Sequence, residues 1–283
     1  MTKEKYNISF SGGRTSAYMT KLLMDNFSDK YEFHVTFANT GREHPKTLEF
    51  VHNCDIRFGF NTVWLEAEVH HDERIGCTHK VVNYETADRD GVVFENVIKK
   101  YGIPNQIYQL CNREMKLNVM RSYRKSKGLQ NAITAIGIRA DEPRRIRENA
   151  EQMRIAYPLV DLFPSDKQDV MSFWEDQDFD LGLDDFNGNC IGCFKKSDKK
   201  LFLQIKQNPS WFDWHHKMES LYEKTGAQPE VGRRVFFRRY RDTAMLLAEY
   251  KENIDSKARQ LTIDDEDSGC SESCEFLPTD GRI

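Results

Sequence analysis

The stretch Ile8-Ser9-Phe10-Ser11-Gly12-Gly13-Arg14-Thr15-Ser16-Ala17-Tyr18-Met19, ISFSGGRTSAYM, joins a β-favouring run to a helical one through two glycines. Adjacent glycines let the backbone turn with positive φ and approach a ligand closely. Ser11, Thr15 and Ser16 surround that turn with hydroxyls. A helix opening near Arg14 aims its unpaired N–H groups and positive dipole end into the turn, which suits a phosphate. The string is neither the G-x-x-x-x-G-K-[ST] loop nor G-x-G-x-x-G, and standing alone it also reads as an ordinary strand-to-helix turn.

Outward from that turn, strand and helix signals alternate. Tyr6 to Phe10 reads as a strand, Ala17 to Asp25 as a helix, Glu32 to Ala38 as a strand, Pro45 to Asn53 as a helix and Asn61 to Leu65 as a short strand. Such alternation predicts a parallel sheet with crossover helices. Residues 70 to 105 are mixed and polar and read as an insertion or lid over the sheet edge. Cys111 to Lys127 is helical in pattern, and Ala132 to Ile138 (AITAIGI) is a short apolar β-branched strand. An arginine-rich loop and helix, Arg139 to Arg154, comes next, then a helix signalled by Ser165 and Asp166. Pro209 to Thr225 and Arg233 to Asn253 read as two further helices.

The chain has 283 residues, with 41 Lys and Arg against 45 Asp and Glu, a net charge of −4 that gives no global attraction to polyanions. Any polyanion site must be local. The first ten residues lack the apolar core of a signal peptide, and no run approaches the ~18 apolar residues of a membrane helix. The expectation is a soluble, cytoplasmic protein with no membrane association. In a reducing compartment its seven cysteines point to metal or thiol chemistry before disulfides.

Four strings together carry a resemblance. SGGRTS, NTGREHPKTLEF, GIRADEPRR and YPLVDLFPSDKQDVMSFW occur in that order, each at the strand or helix position it requires. The chain resembles the PP-loop ATP pyrophosphatases, the adenine nucleotide α-hydrolases, and within them the phosphoadenosine phosphosulfate reductase-like group, including members that phages carry. The resemblance runs from about Tyr6 to Ser197. It implies an α/β fold, a parallel sheet with flanking helices of the HUP, Rossmann-like kind. Residues 1–195 would form the PP-loop nucleotide-binding domain, and 196–283 a helical C-terminal extension with an acidic, cysteine-containing tail.

By that resemblance Ser11, Gly12, Gly13, Arg14, Thr15 and Ser16 hold the phosphates of ATP or a related adenine nucleotide. Thr40, Gly41 and Arg42 follow the second strand and contact base or ribose, while Gly137 and Arg139 lie past the AITAIGI strand. Arg139 and Ser16 take the catalytic roles, with Mg²⁺ on the leaving pyrophosphate. The implied reaction is attack at the α-phosphorus, giving an adenylated acceptor. Thr15 stands where the family usually has Asp. The chain also ends SGCSESCEF rather than in the Glu-Cys-Gly string of sulfonucleotide reductases.

The second constellation is Cys190-Ile191-Gly192-Cys193, a C-x-x-C in Gly- and Asn-rich sequence that can wrap both thiolates onto one centre. The family's iron–sulfur reductases have Cys-Cys-x-x-x-Lys well upstream of such a pair, and here Cys111 precedes Lys116, with Asn112 in the second cysteine's place. Cys111, Cys190 and Cys193 are thus expected on a [4Fe-4S] cluster with one iron open, as in tRNA sulfur-insertion enzymes. The alternative is Zn²⁺ held by Cys190, Cys193, Cys270 and Cys274. Cys54 and Cys77 read as small buried hydrophobes.

Arg233 to Arg241 interleaves arginine with aromatics. It reads first as an amphipathic helix with core aromatics, and second as a landing surface for a nucleic-acid strand. A tRNA or DNA acceptor and a homodimer complete the expected partners. Three functions stay open at this level: an adenylating enzyme of sulfur transfer or nucleotide modification, a sulfonucleotide reductase, and a non-catalytic nucleotide-binding protein.

Overall fold

A computed structural model describes residues 3–188, 190–226 and 232–257. Six strands form one sheet: β1 (Glu4–Ser9), β2 (Tyr31–Ala38), β3 (Val63–Glu68), β4 (Thr78–Val82), β5 (Ile133–Ile136) and β6 (Ile155–Ala156). Their order is β4-β3-β2-β1-β5-β6. Every pairing is parallel except β3 with β4. The chain therefore winds outward from β1 through β2 and β3, then returns to the other side of β1 as β5. The reversal opens a crevice at the carboxyl ends of β1 and β5, where ligands of such sheets bind.

The sheet is covered on both faces because its strands are apolar on both. Ile8, Phe10, Phe37 and Trp64 pack with α1 (Arg14–Phe27), α2 (Pro45–Phe58) and, further along the chain, Val170 and Trp174. The second cluster joins Leu65 and Ala67 to α3 (Val92–Tyr101) and to the run α4 (Leu110–Asn112), a π-turn at Arg113–Leu117 and α5 (Asn118–Ser126). After the four-residue α6 (Pro158–Asp161) comes α7 (Lys167–Glu175), opened by a capping box between Asp166 and Asp169. The C-terminal helices α8 (Asp198–Gln207), α9 (Asp213–Tyr222) and α10 (Thr243–Lys257) place Leu201, Ile205, Met218 and Leu246 in the same second cluster. The extension thus shares a core with the sheet.

The structure corrects three local expectations. Residues 70–105 contribute β4, which lengthens the sheet instead of lying over its edge, and α3, which fills the second core. Arg139–Arg154 holds no α-helix, only a 3₁₀ turn at Pro143–Arg145, because Glu142 is bonded to Arg139 and Arg145 in a tight polar loop. The last helix starts at Thr243, not Arg233. The buried Glu219 carboxylate accepts hydrogen bonds from Phe236 N (3.1 Å) and Thr243 N (2.8 Å), which holds the segment between them in an irregular course.

Candidate functional site

The crevice at β1 and β5 is the mouth of a cleft of about 230 Å³, lined by the Ser11–Ser16 loop, Thr47, Gly137, Arg139, Arg145, Lys167, Asp184, Asp185 and Lys200. The two loop glycines have different tasks. Gly12 has φ +79°, and a Cβ there would sit 2.8 Å from Thr47 Cγ2 and 3.1 Å from Phe37 Cε2. It is glycine because the turn is left-handed and pressed onto α2. Gly13 is extended, with φ −108° and ψ 162°, so the positive φ expected of both belongs to Gly12 alone. A Cβ at Gly13 would meet only Ser11 Oγ, at 3.6 Å.

Gly13 is also the N-cap of α1, and neither a side-chain cap nor an acidic residue occupies the helix's first turn. The N–H groups and dipole at that end face the cleft without a protein counter-charge of their own, the arrangement that attracts an anion. Ser16 is buried. Its Oγ takes a hydrogen bond from Ser11 N (3.2 Å), lies 2.8 Å from Ser11 Oγ and donates to Gly13 O (3.0 Å). That hydroxyl therefore closes the loop on itself. Gly137 permits the end of β5 to reach it, since a Cβ would fall 2.9 Å from Ser16 Cα.

The cationic groups are held by carboxylates rather than loose. Arg139 donates through Nε to Asp141 Oδ1 (2.8 Å) and through Nη2 to Asp141 Oδ2 (3.1 Å), while its Nη1 lies 3.6 Å from Glu142 and 3.5 Å from Thr15 Oγ1. Arg145 pairs with the opposite oxygen of Glu142 at 2.6 Å. The largely buried Glu142 carboxylate thus directs Arg145 and lies beside Arg139, whose direction Asp141 sets. Arg14 turns away from its loop. It forks onto Asp180 at 2.6 and 2.5 Å and donates to Leu183 O (3.2 Å), pinning residues 180–183 beside the cleft. Burial raises the Asp180 carboxyl, but hydrogen bonds from Arg14, Gly182 and Leu181 outweigh it and hold that group below its ordinary value. Trp174 Nε1 donates to Arg14 O (3.1 Å), so α7 fixes the start of α1 from behind.

Thr40, Gly41 and Arg42 do not line this cleft; they build a second, mostly buried cluster around the C-x-x-C loop. Glu43 accepts from Thr40 N (2.9 Å) and Thr40 Oγ1 (2.8 Å), and Cys190 Sγ lies 3.4 Å from that hydroxyl and 3.6 Å from Glu43 Oε1. Glu43 and Cys190 form a β-bridge, and Ile191 N donates to Arg42 O (2.9 Å). Arg42 lies 4.7 Å over the Trp214 ring, and burial lowers its pKa. Gly41 has φ +77°, and a Cβ there would fall 2.1 Å from Asp88 Oδ2. The fully buried His215 packs against Gly192, and burial followed by the Arg42 charge keeps the imidazole neutral, far below its ordinary pKa.

Cys111 packs against the second core cluster. Among the described residues no three His, Cys, Asp or Glu side chains converge as metal ligands, so these residues do not by themselves assemble the expected cluster site. Cys270 and Cys274 lie outside the described residues. Burial pushes the Cys77 thiol up to about 12 and the Cys54 thiol higher still, in keeping with core residues. Sequence reasoning missed Thr47, Arg145, Lys167, Lys200, Asp184 and Asp185 as cleft residues. Thr47, Arg145 and Lys167 lie inside three of the ordered strings, whereas Asp184, Asp185 and Lys200 lie in none. They meet only through the fold.

No helix among the described residues is long and apolar enough to cross a membrane. Three comparisons with known proteins agree with this geometry. A family model, the phosphoadenosine phosphosulfate reductase domain, matches residues 5–197. An uncharacterized nin region protein of Escherichia phage lambda is 31% identical over 279 residues, covering 95% of this chain and 94% of that protein. An uncharacterized protein of Methanocaldococcus jannaschii is 30% identical over 119 residues, 42% of this chain and 22% of that protein. The ordered motifs, the cleft at the switch of strand order and the match over most of the chain lead to one conclusion: this chain belongs to the phosphoadenosine phosphosulfate reductase domain family of the PP-loop superfamily.

Proposed function

We propose that this protein binds ATP or a related adenine nucleotide in the β1–β5 cleft and uses it to adenylate an acceptor, ahead of sulfur transfer or another nucleotide modification. The observation that carries the reading is the uncapped start of α1 at Gly13, opening into a cleft that Arg139 and Arg145 also line. In this reading the α1 N–H groups hold the phosphates, and Arg139 and Arg145 neutralise charge as pyrophosphate leaves. Thr15, beside Arg139, takes the place of a carboxylate, so Asp184 and Asp185 are the cleft groups suited to a nucleotide-bound Mg²⁺.

The family supports a second reading, reduction of a sulfonucleotide. The two separate by product: adenylation releases pyrophosphate from ATP, whereas reduction converts a phosphosulfate to sulfite and the nucleotide phosphate with two electrons from a dithiol supplied to the assay. Pyrophosphate release in the presence of bulk tRNA or single-stranded DNA is the expected result. Sulfite release from phosphoadenosine phosphosulfate, with no pyrophosphate from ATP, would replace the first reading with the second. ATP binding with neither product would leave a nucleotide-binding protein without catalysis.

A further inference from the structure

The segment Arg238-Arg239-Tyr240-Arg241 forms a tight reversal that local backbone energetics do not favour. Phe237 N donates to Arg241 O (3.1 Å) and Arg241 N to Arg238 O (3.3 Å), so the two central residues are the tip of a hairpin-like turn. Both central residues are left-handed, Arg239 at φ +60° and Tyr240 at φ +56°. Such turns select Asn-Gly, and an arginine followed by an aromatic is a poor choice for them on backbone grounds. Strain of this kind persists where the surroundings enforce it, and it clusters at functional sites.

The enforcement is visible on both sides of the tip. Arg241 is buried and paired with Asp198 at 2.6 Å and with Glu249. Arg238 donates to Lys195 O at 2.6 Å. Phe236 and Phe237 are buried in the second core cluster. These anchors leave Arg239 and Tyr240 projecting, with Tyr240 61% exposed. The element they grip is the start of α8, whose Lys200 lines the nucleotide cleft. A strained turn thus displays a planar ring and a guanidinium next to the segment that opens α8.

We propose that the Arg239–Tyr240 tip is a docking point for a single nucleic-acid strand, with a base stacked on Tyr240 and the adjoining phosphate on Arg239. Ring and cation in successive positions match the alternation of base and phosphate along a strand. An acidic peptide would use the cation and leave the ring without a role. The inference rests on the adenylation reading, since it names the class of acceptor brought to the cleft.

The test is fluorescence anisotropy of the full-length protein with a labelled mixed-sequence single strand, as RNA and as DNA, about 16 nucleotides long to cover a usual site size. Tyr240→Ala should weaken binding about tenfold, in line with the loss of one base–aromatic stack. Arg239→Gln should flatten the salt dependence by about 0.7 in log–log slope, one single-strand phosphate contact. The double change Arg239→Asn with Tyr240→Gly suits the turn better, so the melting temperature should rise while strand binding falls. ATP affinity, measured in parallel, should be unchanged in all three. A strand affinity unaltered by the double change would overturn the proposal, as would equal weakening of a poly-glutamate peptide, which would make the tip an acidic-protein contact. Loss of ATP binding in wild type with strand binding retained would count against the adenylation reading alone.

Discussion

Gly12 and Gly13 are neighbours of the same type with unlike duties, and substitution separates them. An alanine at Gly12 must hold φ near +79° and push against Thr47, so Gly12→Ala should cost about 1–2 kcal/mol from the left-handed conformation, before the contact is counted. Urea denaturation measures that loss. Gly13→Val meets little within the protein, because the backbone there is already extended. It should fold with near wild-type stability yet lose ATP, since its branched side chain occupies open space at the mouth of the helix N-terminus. Isothermal titration decides the matter, and a Gly13→Val protein that binds ATP normally would remove the phosphates from this loop. Both glycines were legible as a turn. Which one is left-handed was not, because that depends on α2 lying behind Gly12.

At the scale of elements, the cleft wall formed by residues 180–183 is attached to α1 mainly through Arg14 and Asp180, and to α2 through Lys46 Nζ, which donates to Gly182 O (2.9 Å). Asp180 has its folded pKa below its unfolded value of about 3.9, so its contribution is complete above that value and disappears as pH falls through the folded one. Thermal melts of wild type and Asp180→Asn should therefore differ at pH 7 and converge towards pH 3, without any change between pH 6 and 9. A difference that persists undiminished at pH 3 would mean that the carboxylate's charge is not what holds the wall. The Asp180 side chain is 36% exposed, so the difference should be modest and shrink with added salt. Here the sequence showed α7 through its Asp166 cap signal, but nothing in it announced that an arginine of the glycine turn would pair with residue 180.

Across the whole molecule, the C-terminal helices are tied to one another by Arg241, which is buried between Asp198 at the start of α8 and Glu249 on α10. Removing the cation leaves a cavity and two carboxylates without their partner. Arg241→Ala should lower stability by about 3 kcal/mol, the lower end for a disrupted buried pair because the carboxylates are partly exposed. Because α8 to α10 share the second core cluster with α3 and α5, unfolding should remain a single transition by both tryptophan fluorescence and circular dichroism. Separate transitions in the variant would show that the extension folds independently of the sheet.

The alternation of β-branched runs with helical ones, and four ordered motifs, determined by themselves the parallel α/β class, the family and the glycine turn between β1 and α1. These signals are local, because strand period, glycine freedom and helix capping act over a few residues. The tertiary structure decided everything that needs distant segments to meet. It made residues 78–82 an antiparallel edge strand, turned Thr40 to Arg42 towards the Cys190 loop instead of the cleft, and brought Arg145, Lys167 and Lys200 into the lining of that cleft. It also broke the expected helix at Arg233, since a buried Glu219 carboxylate competes for the backbone N–H groups of Phe236 and Thr243. Single-residue propensity carries no record of a carboxylate far along the chain, whereas the folded core sets it within hydrogen-bond reach.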